Sequence, residues 1–190
     1  MVPGIFLDRD GVIIANRTNY VRSWAEVEFL PGALEALKSL RSLFAKIVIV
    51  TNQSAVGRGL MSLSQALEIN QRMVANIEEA GGRINGVYIC PHAPNDNCSC
   101  RKPEPGMLWQ AARDLEIDLH DSLIIGDALT DIAAGKRVGL RQCLLVRTGL
   151  GAAQARLSTA ATLQPFRIYD SLLDAQIHIS DWWEQPQEGG

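Results

Sequence analysis

Short runs of consecutive apolar residues recur along the chain, separated by segments that carry apolar residues at helical spacing. Runs this short, apolar at successive positions, are typical of strands that are buried on both faces of a parallel sheet. The pattern therefore predicts a parallel sheet of five strands, with a weaker sixth candidate near the end. The runs are Ile5–Leu7, Ile47–Val50, Gly86–Ile89, Leu123–Ile125, Cys143–Val146 and Arg167–Tyr169.

The segments between these runs predict amphipathic helices. Pro31 and Pro105 each precede an apolar stripe, and proline suits the first turn of a helix. Ser62 and Gln65 form a capping-box pattern at the start of another helix. Alternation of strands and helices indicates a Rossmann-like, doubly wound α/β fold with a mainly parallel sheet. The stripes contain Leu34, Leu37 and Leu40; Leu63, Leu67, Met73, Val74 and Ile77; and Leu108, Ala111, Ala112 and Leu115.

Length and composition indicate an ordinary globular protein. The chain has 190 residues, of which 47% are hydrophobic and 21% charged, which argues against a disordered chain. We expect one domain over residues 1–183 and a disordered polar tail over 184–190. The net charge is −3, from 18 basic and 21 acidic residues, which argues against a nucleic-acid partner. We expect a monomer that binds a small molecule.

The chain shows no segment that targets it to a membrane. The first residues lack a basic stretch followed by a long apolar one, so no signal peptide is evident. The longest apolar strand run, Ile47–Val50, is far shorter than the roughly 20 residues that cross a bilayer. We therefore expect a cytoplasmic protein with no membrane partner.

Polar side chains collect where the predicted strands end. In doubly wound sheets the ligand lies beyond the carboxyl ends of the strands, so these residues are expected to converge on one site. That convergence is stronger evidence for a site than any single motif. The candidates are Asp8, Arg9, Asp10 and Gly11 after the first run; Thr51, Asn52, Gln53 and Ser54 after the second; Arg101 and Lys102 beyond the third; and Gly126, Asp127 and Asp131 after the fourth.

Asp8 and Asp10 are the candidate catalytic pair. They are two residues apart at a strand end, so both side chains lie on one side if the strand stays extended. Two close carboxylates repel each other, and a divalent cation bound with Asp127 would relieve that repulsion. An all-oxygen site of this kind suits Mg²⁺. Asp8 is then the nucleophile that attacks phosphorus, and Asp10 is the general acid and base. Gly11 permits a sharp turn.

Other polar residues would bind the transferred phosphoryl group. Thr51 offers a hydroxyl and nearby N–H donors, Lys102 offers a compact cation, and Asn52 could order the site. Taken alone, Thr51 and Asn52 are more typical of a strand-ending turn, and their position beside Asp8 and Lys102 favours the functional interpretation. The alternative for Asp127 is a helix cap. For Asp131 two interpretations are equally supported: an outer partner of the site, or a residue on the surface of a helix.

Cys90, His92, Cys98 and Cys100 form a compact set of metal ligands. Three thiolates and one imidazole within eleven residues close a tetrahedral zinc site with no open position, so the zinc would be structural. The alternative is a reduced cysteine-rich loop or a local disulfide. Zinc would order this loop and fix the two cations that directly follow it. Cys143 lies in a predicted strand and is interpreted as a core residue.

Four cations are expected at the mouth of the site. Arg9, Arg58, Arg101 and Lys102 would make it locally positive on a slightly acidic protein, which suits a small anionic substrate. For Arg58, which lies between two glycines, a solvated loop position is an equal alternative.

These residues resemble the four motifs of the haloacid-dehalogenase-like (HAD) phosphatases. The motifs are Asp8-Arg9-Asp10-Gly11, Thr51-Asn52-Gln53, Lys102 and Gly126-Asp127, and they span most of the chain. The Cys-Pro-His…Cys-x-Cys-Arg-Lys-Pro pattern resembles a narrower branch, which holds the heptose 1,7-bisphosphate 7-phosphatases and the histidinol-phosphatases. The stretches 51–59 and 102–108, and Tyr20-Val21, look like the heptose enzymes.

The resemblance implies a HAD fold without a large cap domain, and a role for each matching residue. Mg²⁺ would be bound by Asp8, Asp127 and the carbonyl of Asp10. The reaction would be removal of the 7-phosphate of a heptose bisphosphate, for nucleotide-activated heptose and surface lipopolysaccharide. The residues that would hold the phosphoryl group are Thr51, Asn52 and Lys102, and those that would contact the sugar are Asn16, Asn19, Tyr20, Gln53, Ser54 and Arg101.

Several departures bear on the substrate. Ala128 follows Asp127 where some heptose phosphatases carry lysine, and the zinc loop has the shorter length of the histidinol-phosphate branch. Ala55 and Val12 also differ from common family residues. The alternatives are therefore a histidinol-phosphate phosphatase, a phosphatase for another small sugar phosphate, or one for a nucleic-acid 3′-phosphate, which the acidic charge disfavours. A catalytically silent zinc-stabilised module is a further alternative, against which the intact acidic pair argues.

Overall fold

A six-stranded parallel sheet forms the centre of the molecule. The computed structural model describes residues 1–184, and within them the strand order is β3-β2-β1-β4-β5-β6. Every neighbouring pair of strands is parallel, as the apolar runs predict. The strands are β1 (Val2–Leu7), β2 (Lys46–Asn52), β3 (Gly86–Cys90), β4 (Ile117–Gly126), β5 (Gln142–Val146) and β6 (Arg167–Tyr169).

Helices cover both faces of the sheet, as a doubly wound fold requires. A 3₁₀ turn, Trp24–Glu26, lies in the connection between β1 and the first helix. The helices are α1 (Ala33–Leu40), α2 (Ser54–Gly57), α3 (Leu63–Glu79), α4 (Gly106–Leu115), α5 (Leu129–Arg137), α6 (Gly151–Gln154), α7 (Ser158–Thr162) and α8 (Leu172–Glu184).

The core is divided by the sheet into two layers. Successive strand residues point to opposite faces, so Ile5 and Leu7 pack in one layer while Phe6 packs in the other. The first layer is closed by α1, α3 and α8, and the second by α4 and α5. Cys143 is buried in the second layer, which confirms its interpretation as a core residue.

The start of α3 follows the predicted capping box, but part of its predicted stripe is wrong. The Ser62 hydroxyl accepts from the Gln65 backbone N–H, and the Gln65 side chain accepts from the Ser62 N–H. Leu63 and Leu67 are 43% and 46% exposed, whereas Met73 and Ile77 are buried. The buried stripe keeps Met73 and Ile77, but in the first half of the helix it lies on the adjacent face and includes a polar side chain. These residues are Ala66, Ile69, Asn70, Met73 and Ile77.

Strand order reverses at β1, where β2 and β4 flank it on either side. A crevice forms at such a switch point beyond the carboxyl ends of the strands. All six strands within residues 1–184 belong to this one sheet, so no second sheet covers the crevice in that part of the chain. No helix among the described residues is long and apolar enough to cross a membrane. The predicted disordered tail lies outside the described residues, apart from Glu184, which ends α8.

Candidate active site

Asp8 and Lys102 meet at the switch point. Asp8 directly follows β1, and its backbone N–H donates to the Ile125 carbonyl of the neighbouring strand. The Lys102 ammonium lies 2.9 Å from Asp8 Oδ1 and 2.6 Å from Asp131 Oδ1, and it donates to the Val50 carbonyl at 2.6 Å. Lys102 is only 3% exposed, so its charge is compensated by these two carboxylates. The site thus holds a fixed cation beside the candidate nucleophile.

Three carboxylates converge at this point and fit a divalent cation. One oxygen from each of Asp8, Asp127 and Asp131 lies within 4.8 Å of the others. Burial raises the pKa of Asp8 to about 8, with Asp131 and Asp127 acting in the same direction and Lys102 opposing them. Burial also raises the pKa of Asp127 to about 6. A cation bound among these oxygens would favour their ionised forms, and an all-oxygen donor set suits Mg²⁺.

Asp131 belongs to this group rather than to the helix surface. It is 1% exposed on α5, and besides its ion pair with Lys102 it accepts from the Ala128 N–H through Oδ2 at 3.1 Å. The alternative of a surface helix residue is therefore wrong.

Asp127 is held by two donors that approach from different loops. Its Oδ2 accepts from the Asn16 amide and from the Leu150 backbone N–H, each at 2.8 Å. Gly11 lies against this carboxylate with φ +84°, and a Cβ there would clash with Asp127 and come within 2.9 Å of Asn16 Nδ2. Glycine at this turn therefore provides both the backbone conformation and the space. Asn16, predicted to contact the sugar, uses its side-chain N–H on Asp127.

Asp10 lies beside the nucleophile, with its carboxylate bound by two side chains. The Arg9 guanidinium donates from Nε to Oδ2 and from Nη2 to Oδ1, both at 3.0 Å. The Gln53 amide donates to Oδ2 at 3.0 Å and to Thr51 Oγ1 at 2.8 Å. Asp10 and Gln53 both line a cavity of about 510 Å³. The candidate acid and base is thus held at the wall of an open space.

Thr51 and Asn52 are the last two residues of β2 but lie in different surroundings. Thr51 is buried next to Gln53. Asn52 forms a reciprocal pair with the backbone of Lys102, in which its Nδ2 donates to the carbonyl and its Oδ1 accepts from the N–H, both at 3.1 Å. Asn52 therefore orders the segment that carries Lys102.

The cavity wall contains part of the predicted substrate-binding set. Arg101 donates to the Ser54 hydroxyl at 2.7 Å and to the His92 carbonyl at 3.3 Å, which joins α2 to the cysteine-rich loop. Asn19 is exposed and does not contribute to the lining. The lining residues are Arg9, Asp10, Asn16, Arg17, Thr18, Tyr20, Val21, Asn52, Gln53, Ser54, Arg101 and Leu150.

Of the four cations predicted at the mouth, Arg9 and Arg101 line the cavity, whereas Arg58 and Lys102 do not. Arg9 and Lys102 are 1% and 3% exposed, because each is drawn inward to carboxylates. Arg58 is exposed but does not contribute to the cavity lining. Arg101 is in the predicted place, and Arg17 joins it there with its guanidinium paired to Glu28 at 2.9 Å.

The cysteine and histidine side chains converge as a metal site requires. Cys100 Sγ lies 3.2 Å from Cys90 Sγ, 3.5 Å from Cys98 Sγ and 3.2 Å from His92 Nδ1. Zn–S bonds of about 2.3 Å in a tetrahedron imply ligand separations of about 3.7 Å, so a zinc ion fits this set with small adjustments. None of the four cysteines is in a disulfide, which makes the disulfide alternative wrong.

Some residues of the site escaped the sequence analysis. Asn70 on α3 accepts from Arg9 Nη1 at 2.9 Å, and the loop after β5 contributes the Leu150 N–H and the Thr148 hydroxyl, which donates to the Gly11 carbonyl at 2.6 Å. Asn70 carried a signal, because it is a polar residue on a stripe of otherwise apolar positions. A backbone donor such as the Leu150 N–H leaves no signature in side-chain identity.

Comparison with known proteins agrees with this geometry. Residues 99–175 match the HAD-hydrolase-like family model. A D-glycero-beta-D-manno-heptose-1,7-bisphosphate 7-phosphatase from Pasteurella multocida is 38% identical over 155 residues, which cover 78% of this chain and 84% of the relative. The corresponding alpha-named enzyme of Photorhabdus laumondii is also 38% identical, over 151 residues that cover 76% and 82%.

The chain belongs to the heptose bisphosphate phosphatase family of HAD-like hydrolases.

A solved structure of this family is similar over nearly its whole length. The D,D-heptose 1,7-bisphosphate phosphatase of B. bronchiseptica, complexed with magnesium and phosphate, has a TM-score of 0.86 and 33% identity, and the match covers 95% of this chain and 99% of that one. The residues of this chain that match the HAD-hydrolase-like family model, 99–175, include Lys102, Asp127 and Asp131. Asp8 and Asp10 enter the same site from β1, outside that span.

Proposed function

We propose that this protein is a Mg²⁺-dependent phosphatase that removes the 7-phosphate of D-glycero-D-manno-heptose 1,7-bisphosphate through an aspartyl-phosphate. The observation that carries the proposal is the convergence of Asp8, Lys102, Asp127 and Asp131 at one point, next to Asp10, which lines the open cavity. The similarity to enzymes named for this reaction supports the choice of substrate.

In the first half-reaction an Asp8 carboxylate oxygen attacks phosphorus. The P–O bond to the sugar breaks, its electron pair passes to the leaving oxygen, and Asp10 gives that oxygen a proton. Lys102 lies 2.9 Å from Asp8 and offsets negative charge next to the transferred group. Thr51 would contribute donors at the end of β2.

In the second half-reaction water attacks the phosphorus of the aspartyl-phosphate. Asp10, now a carboxylate, takes a proton from that water, and the bond from phosphorus to Asp8 breaks. The Asp8 carboxylate and inorganic phosphate are the products on the enzyme, and Asp10 is again protonated. Each residue thereby returns to its starting state.

Two metal ions complete the proposal. Mg²⁺ would be held by Asp8, Asp127 and the Asp10 carbonyl with Asp131 close by, and it would supply neutralisation of phosphate charge. Zn²⁺ would be held by Cys90, His92, Cys98 and Cys100 as a closed structural site. Through the contact between Arg101 and the His92 carbonyl, the loop that zinc orders also positions a cation at the cavity.

We further propose that residues 1–183 form one HAD-like domain.

A paired kinetic comparison tests the substrate. We expect kcat/KM for heptose 1,7-bisphosphate to exceed that for L-histidinol phosphate by about 100-fold or more, since loss of matched polar contacts at a second phosphate and a sugar is costly. Both anomers of the bisphosphate are assayed, because relatives carry both names. A preference for histidinol phosphate would keep the phosphatase reaction and reject the heptose; no turnover of any phosphomonoester with Mg²⁺ would reject the phosphatase itself.

Arg101 is expected to contribute mainly to substrate binding. Its guanidinium lines the cavity, and its described partners, the Ser54 hydroxyl and the His92 carbonyl, are neutral. Arg101→Met is expected to raise KM for the bisphosphate by about 10- to 100-fold, because a charge-assisted hydrogen bond contributes about 1.5–3 kcal/mol. Arg113→Met, an exposed site on α4, is the matched control. An unchanged KM in Arg101→Met would exclude the contact.

A further inference from the structure

Arg9 is a buried cation with partners on three separate segments. It follows Asp8 in the chain and is 1% exposed. Its Nη1 donates to Asn70 on α3 at 2.9 Å, and its Nη2 donates to Gln53 Oε1, just after β2, at 3.0 Å. Its remaining contacts are with the carboxylate of Asp10. Among the described residues, Asp10 is its one ion-pair partner. A buried guanidinium is thus anchored on α3 and directed at the acid and base.

The contacts leave the two oxygens of Asp10 unequal. Oδ2 accepts from Arg9 Nε and from Gln53 Nε2, whereas Oδ1 accepts from Arg9 Nη2. A carboxylate oxygen has two lone-pair positions, so Oδ2 is filled and Oδ1 retains one position for a proton. Asp10 lines the cavity and its side chain is 24% exposed, as proton exchange with a substrate oxygen requires.

We propose that Arg9 is a positioning residue for catalysis, which with Asn70 and Gln53 holds Asp10 so that Oδ1 is the oxygen that gives and takes the proton. This rests on the proposed phosphatase activity through Asp8. When the ester P–O bond breaks, its electron pair goes to the leaving oxygen, and the proton on Oδ1 moves there. The guanidinium stabilises the resulting carboxylate, and Oδ1 then takes a proton from the water that attacks the aspartyl-phosphate.

A purely structural role for Arg9 makes a different prediction. A buried arginine that only holds β1 to α3 would, when replaced, lower stability and affect every substrate alike. If Arg9 instead acts through the general acid, its replacement should lower activity most for substrates whose leaving group needs a proton. p-Nitrophenolate leaves as a stable anion, whereas a sugar alkoxide needs protonation.

The test compares two substrates in Arg9→Met. We expect kcat/KM for heptose bisphosphate to fall by about 100-fold, and kcat/KM for p-nitrophenyl phosphate to fall by less than about 3-fold. For the nitrophenyl ester kcat and KM should fall together, because hydrolysis of the aspartyl-phosphate still needs the base. A burst of one p-nitrophenol per site should therefore appear in the first turnover.

Milder and matched variants keep the test decisive. Arg9→Lys retains the charge, and Asn70→Ala removes only the anchor on α3. In both variants kcat/KM should fall more for heptose bisphosphate than for p-nitrophenyl phosphate, by smaller factors than in Arg9→Met. They carry the test if Arg9→Met does not fold. Arg83→Met is the control, since Arg83 donates to the carbonyls of Leu43 and Ala45 away from the site and should alter stability alone.

The outcomes separate this proposal from the proposed substrate. Equal losses for both substrates, or no loss, in the folded Arg9 and Asn70 variants would overturn the positioning role. If the unchanged enzyme hydrolyses p-nitrophenyl phosphate but not the heptose bisphosphate, the substrate assignment fails. The comparison is then run with the alkyl phosphate that the enzyme hydrolyses fastest, and the substrate difference decides the role of Arg9 as before.

Discussion

Asp8→Asn is expected to abolish phosphatase activity, with kcat reduced by at least about 10⁴-fold, as removal of a covalent nucleophile does in other hydrolases. The amide has no negative oxygen to attack phosphorus, so no acyl-phosphate forms. The measurement is steady-state release of phosphate from the heptose bisphosphate with Mg²⁺, together with trapping of the phosphoenzyme by acid quench. Trapped phosphate should be present in the unchanged protein and absent from the variant.

The control for this variant must separate chemistry from folding. Asp121→Asn replaces an exposed aspartate that pairs with Arg141 on the surface, and it should leave kcat within about 2-fold. The melting temperature of Asp8→Asn should stay close to that of the unchanged protein, because the substitution keeps the size of the side chain and removes one of three crowded carboxylates. Near-normal turnover in Asp8→Asn would disprove the covalent mechanism.

Loss of zinc is expected to have the largest effect on stability. Metal-replete protein should contain one zinc per chain, and Cys100→Ser should contain much less, because three ligands no longer close the tetrahedron. A ligand at about 1,000 times its dissociation constant stabilises a protein by about 4 kcal/mol. For a chain of this length that corresponds to roughly 8–16 °C in Tm. Thermal unfolding and elemental analysis are the measurements.

Activity should fall with the zinc, because the last ligand directly precedes Arg101 and Lys102. Cys143→Ser is the matched control: this buried cysteine lies in β5, away from the four ligands, so the variant should keep its zinc. Replete protein without zinc, or a Tm that a chelator leaves unchanged, would exclude a structural zinc site.

The sequence predicted the sheet because its four central strands, β2, β1, β4 and β5, contain runs that are buried on both faces, whereas the edge strands β3 and β6 are only partly buried. Such buried runs consist of consecutive apolar residues, which need no knowledge of partners to be found. The boundaries were less accurate: β4 begins at Ile117, six residues before the predicted run, and its first half contains polar residues such as Asp118. Those positions pair only with the first residues of β1, and pairing of backbones leaves little trace in side-chain polarity.

The stripe on α3 shows where local pattern fails. Leu63 and Leu67 are apolar at helical spacing, yet they are exposed. The face of α3 that neighbouring elements cover is the adjacent one, which carries Ala66, Ile69 and Asn70. Which face of a helix is buried depends on the elements that pack against it. The sequence pattern allowed both faces, and the polar Asn70 was buried because Arg9 lies opposite it.

The sequence by itself determined the doubly wound sheet, the convergence of Asp8, Lys102 and Asp127 at its edge, and the cluster of Cys90, His92, Cys98 and Cys100. Each of these depends on local spacing or on the rule that parallel strands end at one edge. Only the tertiary structure decided that Asp131 joins the carboxylates, that Arg9 turns inward to Asp10, and that the Leu150 N–H binds Asp127. Most of these contacts join residues far apart in the chain, and a buried charge takes whichever compensating partner the packed fold brings within reach.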